Sequence, residues 1–486
     1  MKVAEQHYEV MPLLFRREEG GIFVTTRHGD YYWMSEHNFN ELLEGSLTVN
    51  SDIFQNLLAR QIISIEREYS VDVAAAKIRS RKMFLQEFTS LHMLVTTLRC
   101  NQRCEYCQVS CEGDDAVQFD MNVETAKKIV DTIFKTPSKC IKIEFQGGEP
   151  TLNWEIIPFV VEYAKELNNV HRKNVDFVVC SNLTAMTKEK FEYLAKHGVY
   201  VSTSLDGPID LHDCCRKQRI GRSSYELFIK NLELGREIMG DDKIDALMTT
   251  SKFSLNCYQE IIDEYMRLGF HGLFLRSLNP YGFASEQAEI LEYSCEEFFK
   301  FYTQCLEYII EINSKGIVFT EYYTALIFKR IMTSQSTGFV DLQSPSGAGI
   351  SGAIYDYNGD VYPADEGRML ARMGDQRFKM GNVIEDSYRD IFSGEIIREI
   401  VENSCLETMP GCSDCIYSPY CGSDPIRNYL EYGSVIGHNP GSNFCKKNML
   451  IFDYIFSKIK NNDEKFLNAV WTWITPDQKG VKYENV

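Results

Sequence analysis

Three cysteines stand close together in one short segment behind a run of apolar residues. Cys100, Cys104 and Cys107 have the spacing C-x3-C-x2-C and directly follow the strand-like run 93–98. Thiolates are the usual ligands of cubane iron–sulfur clusters, which take four of them. Three thiolates on one loop leave one iron open, and an open metal position is where a small molecule binds and is activated. The spacing therefore indicates a catalytic cluster, with half a zinc site or plain buried cysteines as the alternatives.

A second group of cysteines lies near the C-terminus. Cys412, Cys415, Cys421 and Cys445 are accompanied by turn-forming glycines and prolines. Four thiolates fill a cubane cluster without an open corner. A closed zinc site made of four cysteines uses similar pairs, so spacing alone does not decide between the two. Cys405 is expected to be spare, although it could substitute as a ligand.

The first cysteine loop belongs to a segment in which predicted strands and helices alternate. Such alternation builds a parallel sheet with right-handed crossovers, and six units predict an α/β fold with an open, partial TIM-like (β/α)6 barrel. In such a barrel the chemistry lies at the C-terminal ends of the strands. The predicted strands are 93–98, 141–145, 175–180, 199–204, 244–249 and 272–276, and the predicted helices are 123–134, 155–167, 188–197, 225–239, 258–268 and 295–313.

The flanking segments predict further domains. Residues 21–26 and 31–34 read as a β-hairpin, followed by a helix that Ser35 caps and Gly45 ends, and by a second helix over 51–63. We expect four parts, namely an N-terminal domain (1–88), the barrel (89–315), a C-terminal cluster domain (316–460) and a tail (461–486). The stretch 333–351, rich in Ser, Thr, Gly and Gln, is expected to be a boundary or a substrate-facing loop.

Composition narrows the class of protein. The chain has 486 residues, 44% hydrophobic content and a net charge of −18, and an acidic chain of this kind argues against a nucleic-acid enzyme. No apolar signal core opens the sequence and no run of about 18 apolar residues occurs, so we expect a soluble, cytoplasmic protein without membrane contact. The 16 cysteines then read as metal ligands and buried thiols rather than disulfides.

Together with Gly147-Gly148-Glu149-Pro150, which follows the strand predicted at 141–145, the first cysteine loop resembles the radical S-adenosylmethionine (radical SAM) superfamily. The resemblance implies a [4Fe-4S] cluster whose open iron binds SAM. It also implies that Glu149 accepts hydrogen bonds from the methionine ammonium of SAM. The other residues that it places at SAM are Tyr106, Gly147, Gly148, Asn182, Ser204, Arg216 and, more weakly, Leu275, for which core packing is the alternative. Loop capping is expected for Asp206 and His212.

The C-terminal cysteines are similar to the SPASM extension of peptide-modifying radical SAM enzymes. That extension normally holds two auxiliary clusters, but the chain has no cysteine in 344–349, at Ala364 or at Pro425, where one of them should be bound. We therefore expect a single auxiliary [4Fe-4S] cluster. Asp365 or Glu366 could take a substrate proton, with a surface salt bridge to Arg368 as the alternative.

Taken over most of its length, the chain resembles SPASM-type maturases of ribosomally made peptides, most closely those of His-Xaa-Ser systems. The resemblance implies reductive cleavage of SAM to a 5′-deoxyadenosyl radical, which abstracts hydrogen from a precursor peptide so that an oxidative cross-link forms. Implied partners are a precursor with a leader, captured by a winged-helix-like N-terminal domain, and a reductase such as flavodoxin or ferredoxin. A structural cap is the alternative for residues 1–88.

Other functions stay open at this point. One enzymatic alternative is a sulfatase-maturase-like oxidation of Cys or Ser to formylglycine, which the loss of auxiliary-cluster ligands disfavours. An alternative of another class is a non-catalytic peptide-binding adaptor or an electron-transfer protein. The intact C-x3-C-x2-C and Gly-Gly-Glu-Pro motifs argue against both members of that class.

Overall fold

A computed structural model describes residues 7–49, 51–221, 223–282, 284 and 288–475. Residues 1–6 of the predicted N-terminal domain and 476–486 of the predicted tail therefore lie outside the described part. The strands are β1 Glu9–Val10, β2 Leu13–Glu18, β3 Gly21–Thr26, β4 Tyr31–Met34, β5 Ile63–Ser64, β6 Leu91–Thr97, β7 Gln102–Cys104, β8 Cys140–Gly147, β9 Asn174–Cys180, β10 Tyr200–Ser204, β11 Arg216–Gln218, β12 Ile244–Leu247, β13 Gly272–Leu273, β14 Thr320–Glu321, β15 Gly352–Tyr355, β16 Asp360–Tyr362 and β17 Gly381–Asn382.

The helices match the predicted positions within a few residues along the barrel. They are α1 Glu36–Glu44, α2 Asp52–Ala59, α3 Arg67–Arg81, α4 Phe84–Glu87, α5 Val123–Ile133, α6 Ile156–His171, α7 Lys188–His197, α8 Ile209–Cys215, α9 Ser224–Met239, α10 Tyr258–Arg267, α11 Ala288–Leu291, α12 Cys295–Ser314, α13 Tyr322–Met332, α14 Asp365–Arg372, α15 Tyr388–Ser393, α16 Glu395–Glu402, α17 Pro425–Tyr432, α18 Asn443–Lys460 and α19 Glu464–Ile474. Their apolar faces cover the sheet: in α5, Ala126, Ile129, Val130 and Ile133 are fully buried at helical spacing.

The central sheet is a partial, barrel-like parallel sheet. Its order is β12-β10-β9-β8-β6-β15-β16-β17, with the first six strands parallel and the last two antiparallel. Five of the six predicted barrel strands, β6, β8, β9, β10 and β12, are confirmed in it. The sixth parallel strand of the sheet is β15, which comes from the C-terminal region. It pairs with β6, with Gly352 opposite Leu91 and Tyr355 opposite Leu94.

The predicted sixth strand, 272–276, is wrong as a sheet member. Only Gly272 and Leu273 form a strand, and they pair with β14 instead of β12. The backbone N–H of Leu275 donates to the Glu321 carboxylate at 3.0 Å, so it is not available to β12. One backbone hydrogen bond of 3.0 Å, from Thr250 N to Arg276 O, joins this segment to the chain that follows β12.

The N-terminal hairpin and first helix are confirmed. Strands β2, β3 and β4 form a three-stranded antiparallel sheet, Ser35 caps α1, and Gly45 ends it in the left-handed conformation with φ of 73°. The second helix ends at Ala59, earlier than predicted, because Ile63–Ser64 pairs with Glu9–Val10 as a strand.

This N-terminal unit packs against the second cysteine group. Arg16 binds Asp453 at 2.7 Å and the Tyr417 hydroxyl at 2.9 Å, and Phe23 packs against Phe456 with 4.9 Å between ring centroids. The Thr25 hydroxyl donates to Ile416 O at 3.0 Å. The N-terminal unit therefore packs on the C-terminal region. The alternative considered from the sequence was a structural cap on the barrel. Within the described residues, no helix is both long and apolar enough to cross a membrane.

Candidate active site

The first cysteine loop leaves the C-terminal end of β6 and is held from the side by a short ladder. Strand β7 pairs antiparallel with β11 so that Cys104 lies opposite Arg216. Arg219, just after β11, donates through Nε to Cys100 O at 2.8 Å. The segment around Arg216 therefore supports the cysteine loop.

The cysteine cavity, as we call the pocket at this loop, has a volume of about 240 Å³. It gathers Cys100, Cys104 and Cys107 with most of the residues that the resemblance placed at SAM. Those lining it are Tyr106, Gly147, Gly148, Asn182, Ser204 and Arg216, and Asp365 lines it too. Residues from four strand ends and one distant helix thus converge on one pocket.

The two glycines of the Gly-Gly-Glu-Pro motif make room for the cysteine loop. A Cβ on Gly147, whose φ is +133°, would lie 2.2 Å from Thr97 O, and one on Gly148 would lie 2.2 Å from Arg99 O. The loop passes so close because Gly148 N donates to Thr97 O at 2.9 Å and Glu149 N to Arg99 O at 2.7 Å. The absence of side chains at these two glycines thus lets the protein's own cysteine loop approach closely.

Glu149 lies behind the wall of the cysteine cavity and is fully buried. Its carboxylate accepts hydrogen bonds from the Ser181 hydroxyl and the Asn182 N–H, both at 2.8 Å, and from the hydroxyl and N–H of Thr151. Burial raises its pKa, and these hydrogen bonds act in the opposite direction. In this geometry Glu149 positions Ser181 and Asn182, which face the cavity, so its expected contact with the SAM ammonium stays a prediction.

Asp206 joins two of the predicted SAM residues. Its carboxylate receives Arg216 Nε at 3.0 Å and the Tyr106 hydroxyl, and the Arg216 guanidinium lies 5.3 Å from the centre of the Tyr106 ring. Asp206 is fully buried, and His212 Nδ1 lies 3.5 Å from its backbone N. Asp206 does cap a loop, as expected, because its carboxylate accepts the Thr249 N–H at 3.3 Å, and the same side chain also holds Arg216 and Tyr106.

Leu275 does not line the cysteine cavity. It lines the adjoining cavity, a pocket of about 250 Å³ that shares Leu247 and Arg276 with the cysteine cavity. Glu366 also faces the adjoining cavity, whereas its neighbour Asp365 faces the cysteine cavity. The two carboxylates proposed from the sequence thus face two neighbouring pockets.

Charge is concentrated in the adjoining cavity. Asp341, Glu366, Asp424, Arg427 and Lys447 line it. Burial raises the pKa of Glu366 to about 8, with Asp424, Asp341 and Asp365 adding to the shift. Burial likewise raises the pKa of Asp424 to about 6 and lowers that of Lys447 to about 8. Glu366 therefore keeps its proton near neutral pH and is poised to exchange it.

The donor set of the cysteine cavity fits an iron–sulfur cluster and a polar ligand. Its thiols are soft ligands, and burial raises the pKa of Cys104, so metal loading must displace a proton there. Two buried polar atoms facing the cavity, Gln102 Nε2 and Thr203 Oγ1, have no hydrogen-bond partner in the described part of the chain. Such orphaned groups are expected where a bound group supplies the missing partner.

The second cysteine group also converges. Cys412, Cys415, Cys421 and Cys445 line one cavity of about 310 Å³, which we call the C-terminal cavity. Asn448 Nδ2 lies 3.7 Å from Cys421 Sγ, and Tyr417 N lies 3.4 Å from Cys415 Sγ. The thiol of Cys405 instead approaches Val401 O at 3.4 Å, and Cys405 is absent from this lining.

The distances between the thiols of the two cysteine groups bear on whether they hold a single metal ion or a cluster. Among the described residues, no three His, Cys, Asp or Glu side chains surround one point closely enough for a single ion. A cubane cluster places each cysteine on a different iron, so its thiols stand wider apart than the ligands of one ion. Both cavities offer the thiol donors that such a cluster takes.

Three residues at the cysteine cavity were not predicted from the sequence to be functional. Asp206 and Gln102 carry no spacing signal. Cys111 does, because it extends the first motif to C-x3-C-x2-C-x3-C. It is buried and lines the cysteine cavity.

Comparison with known families agrees with this geometry. Residues 94–275 match the radical SAM superfamily, a segment that contains the cysteine loop, the Gly-Gly-Glu-Pro motif and Arg216. The chain therefore contains a radical SAM domain, and the resemblance of its cysteine loop and Gly-Gly-Glu-Pro motif to that superfamily is confirmed.

Two relatives show the range of proteins to which the chain is similar. A cysteine-type anaerobic sulfatase-maturating enzyme of Clostridium novyi is 23% identical over 381 residues, which cover 76% of this chain and 96% of that protein. The radical SAM cyclopropyl synthase TigE of Paramaledivibacter caminithermalis is 31% identical over 157 residues, 30% of this chain and 32% of TigE.

Solved structures show the same fold. Native anSMEcpe with bound AdoMet superposes with a TM-score of 0.63 at 17% identity, covering 76% of this chain and 98% of that one. Streptococcus suis SuiB bound to precursor peptide SuiA gives a TM-score of 0.54 at 14% identity, covering 91% of this chain and 99% of SuiB. The second superposition extends the likeness over more of this chain than the first.

Proposed function

We propose that this protein is a radical SAM peptide maturase, which abstracts hydrogen from a ribosomally made precursor peptide and leaves an oxidative cross-link. The observation that carries the proposal is one cavity that gathers Cys100, Cys104 and Cys107 with Arg216 and Asp365 and adjoins a second pocket. The likeness to SuiB, whose structure holds a precursor peptide, supports a peptide as substrate.

In this proposal Cys100, Cys104 and Cys107 hold the [4Fe-4S] cluster. When bound, the cluster supplies one electron to SAM, which yields methionine and the 5′-deoxyadenosyl radical. The protein contributes binding and orientation. Arg216, fixed by Asp206, lies opposite Cys104 in the β7–β11 ladder and can face the SAM carboxylate, while Asn182 and Ser204 offer polar groups along the wall.

The peptide would reach the radical through the adjoining cavity. This pocket meets the cysteine cavity at Leu247 and Arg276. On its far side it shares Arg427, Phe444 and Lys447 with an outer cavity of about 420 Å³. The three pockets therefore adjoin one another in sequence, and a substrate residue in the adjoining cavity would lie next to the proposed SAM site.

Two carboxylates are placed to take the substrate proton. Asp365 faces the cysteine cavity and Glu366 the adjoining cavity, so either can approach a substrate carbon held between them. The salt bridge expected as the alternative does form, because Arg368 Nε lies 3.4 Å from Asp365 Oδ1, but Arg368 is fully buried, so the pair is not an exposed one. That contact orients Asp365 and leaves Glu366 as the carboxylate whose pKa, about 8, suits proton exchange near neutral pH.

The C-terminal cavity would hold the single auxiliary [4Fe-4S] cluster, which accepts the electron left when the cross-link forms. The N-terminal unit would capture the leader as an added strand at an edge of its β2-β3-β4 sheet. The reductase would be a flavodoxin or ferredoxin.

Co-expression with a candidate precursor, followed by mass spectrometry, tests this function. Each link made by oxidation lowers the precursor mass by about 2 Da, and we expect that loss with the wild-type chain and not with Cys104→Ala. Formylglycine formation is the second candidate, favoured by the similarity that covers 96% of a sulfatase-maturating enzyme. It would leave an aldehyde that a hydrazide probe captures. An unmodified precursor that binds the chain tightly would support the adaptor alternative.

A further inference from the structure

A fourth thiol lies among the three cysteines of the radical SAM motif. Cys111 lines the cysteine cavity with Cys100, Cys104 and Cys107 and is 6% exposed. Its position therefore differs from that of an ordinary buried cysteine such as Cys215, which contacts Ser251.

The backbone holds Cys111 in this place from both sides. Glu112 N donates to Leu98 O at 2.8 Å, and Cys100 N donates to Glu112 O at 3.2 Å. Arg219 joins the same two segments of the chain, because its Nε donates a hydrogen bond to Cys100 O and its Nη2 donates one to Glu112 O, each at 2.8 Å. Arg219 Nη2 also lies 3.8 Å from Cys111 Sγ. Four hydrogen bonds thus fix the fourth thiol beside the first.

A second observation at the same place points to a bound group. Gln102 is 1% exposed and faces the cysteine cavity, and its Nε2 has no hydrogen-bond partner in the described part of the chain. Its backbone oxygen lies 3.8 Å from Cys111 Sγ, and its Oε1 lies 3.8 Å from Cys104 Sγ. Gln102 therefore contacts the fourth thiol through its backbone and Cys104 through the side chain that carries the unsatisfied N–H group.

We propose that Cys111 is a fourth, exchangeable ligand of the radical-generating cluster, which binds the open iron while SAM is absent and gives way when SAM enters. The inference rests on the proposed function, because it presupposes the cluster. On exchange the bond between Cys111 Sγ and iron breaks, and the amino and carboxylate groups of SAM bind that iron. The proton that the SAM ammonium loses is taken up by the released thiolate, and no electron is transferred.

The consequence is a protected resting state. A cluster with four cysteine ligands has no open corner, so oxygen or adventitious ligands reach it less easily than a cluster with three. SAM must compete with a thiolate held in place, so its apparent affinity is lower than an open iron would give.

The test compares the whole, iron-loaded chain under anaerobic conditions as wild type, Cys111→Ser and Cys180→Ser. Cys180 is the matched control, since it lines the same cavity but approaches Glu144 at 3.2 Å. Electron paramagnetic resonance spectra of dithionite-reduced protein are recorded with and without SAM, together with SAM affinity and iron content. The auxiliary cluster contributes equally to all three proteins and cancels in difference spectra.

We expect Cys111→Ser to change the spectrum recorded without SAM, to leave the spectrum with SAM unchanged and to bind SAM about three- to tenfold more tightly. Cys180→Ser should match the wild type. Identical SAM-free spectra for wild type and Cys111→Ser would overturn the proposal, as would loss of one cluster's iron in Cys111→Ser, which indicates a permanent ligand. Cys111→Ala repeats the experiment if the serine variant folds poorly. A wild-type chain that binds no cluster or shows no response to SAM would instead contradict the proposed function.

Discussion

Arg216 Nε lies 3.0 Å from Asp206 Oδ2 in an ion pair at the wall of the cysteine cavity, and the Asp206 side chain is wholly buried. The same carboxylate receives the hydroxyl of Tyr106, so one acidic group orders a cation and an aromatic ring that line the cysteine cavity. Because a buried cation without its partner is strongly destabilised, this pair sets both the shape and the charge of the cavity.

Replacing Asp206 by asparagine should therefore weaken SAM binding at least tenfold. The variant leaves Arg216 without its counter-charge, and breaking a buried pair costs about 3–5 kcal/mol of stability. Equilibrium SAM binding and denaturant unfolding measure the two effects. Asp210→Asn, an exposed position on α8, is the control and should change neither. Unaltered SAM affinity in Asp206→Asn would show that Arg216 and Tyr106 do not depend on this carboxylate.

Replacing Gly148 by alanine should lower the iron content of the first cluster. The added Cβ, whose position the backbone fixes, would meet the backbone oxygen of Arg99 at 2.2 Å, so the cysteine loop must shift. Iron analysis of the reconstituted protein should fall from roughly eight irons toward roughly four. Gly352→Ala is the control, because its Cβ would have 3.6 Å to its nearest neighbour. Full iron loading in Gly148→Ala would mean that the loop tolerates the displacement.

The metal content itself is a prediction. Two cubane clusters give roughly eight irons per chain, and Cys415→Ala should remove about half while SAM cleavage in a single turnover persists. Iron and acid-labile sulfide analysis check this. Roughly twelve irons would contradict the argument that the ligands of a third cluster are lost, and zinc in place of iron would contradict the C-terminal cluster.

The raised pKa of Glu366 predicts how stability depends on pH. In the folded chain Glu366 keeps its proton up to pH of about 8, whereas the ordinary pKa of 4.5 applies when the chain is unfolded. Since the folded state binds more protons between these values, the contribution of Glu366 to stability is full below pH of about 4.5 and is lost as the pH rises to about 8.

Glu366→Gln should therefore lose less stability than the wild type between pH 5 and pH 8, as followed by urea unfolding at each pH. Asp341, Asp365, Asp424, Arg427 and Lys447 lie nearby and remain in both proteins, so the difference reports Glu366. Glu385→Gln at an exposed site should follow the wild type. Parallel curves for Glu366→Gln and wild type would mean that this carboxylate ionises normally in the folded chain.

The sequence could locate the cysteine loop and the glycine motif because both are local signals. Three thiols on one loop and two glycines at the next strand end indicate a site without knowledge of the distant contacts of the chain. The structure agrees, because Cys104 and Gly148 line the same cavity. The barrel helices were predictable for the same reason, since helical periodicity is read within a few turns.

What the sequence could not predict depends on contacts between distant residues. Strand β15 joins the sheet beside β6, some 260 residues earlier, and no local pattern tells a strand which edge it will pair with. The contact of Asp206 with Tyr106 could not be predicted, because the two residues are 100 positions apart in the chain. Leu275 was expected at SAM, but its strand is held by Glu321 instead of β12.

The most direct test of the central claim is to incubate the iron-loaded protein with SAM and dithionite in the absence of oxygen and to quantify 5′-deoxyadenosine. The account predicts 5′-deoxyadenosine from the wild-type chain and none from Cys104→Ala. A wild-type sample with its full complement of iron that releases no 5′-deoxyadenosine, or a Cys104→Ala variant that releases as much as the wild type, would contradict it.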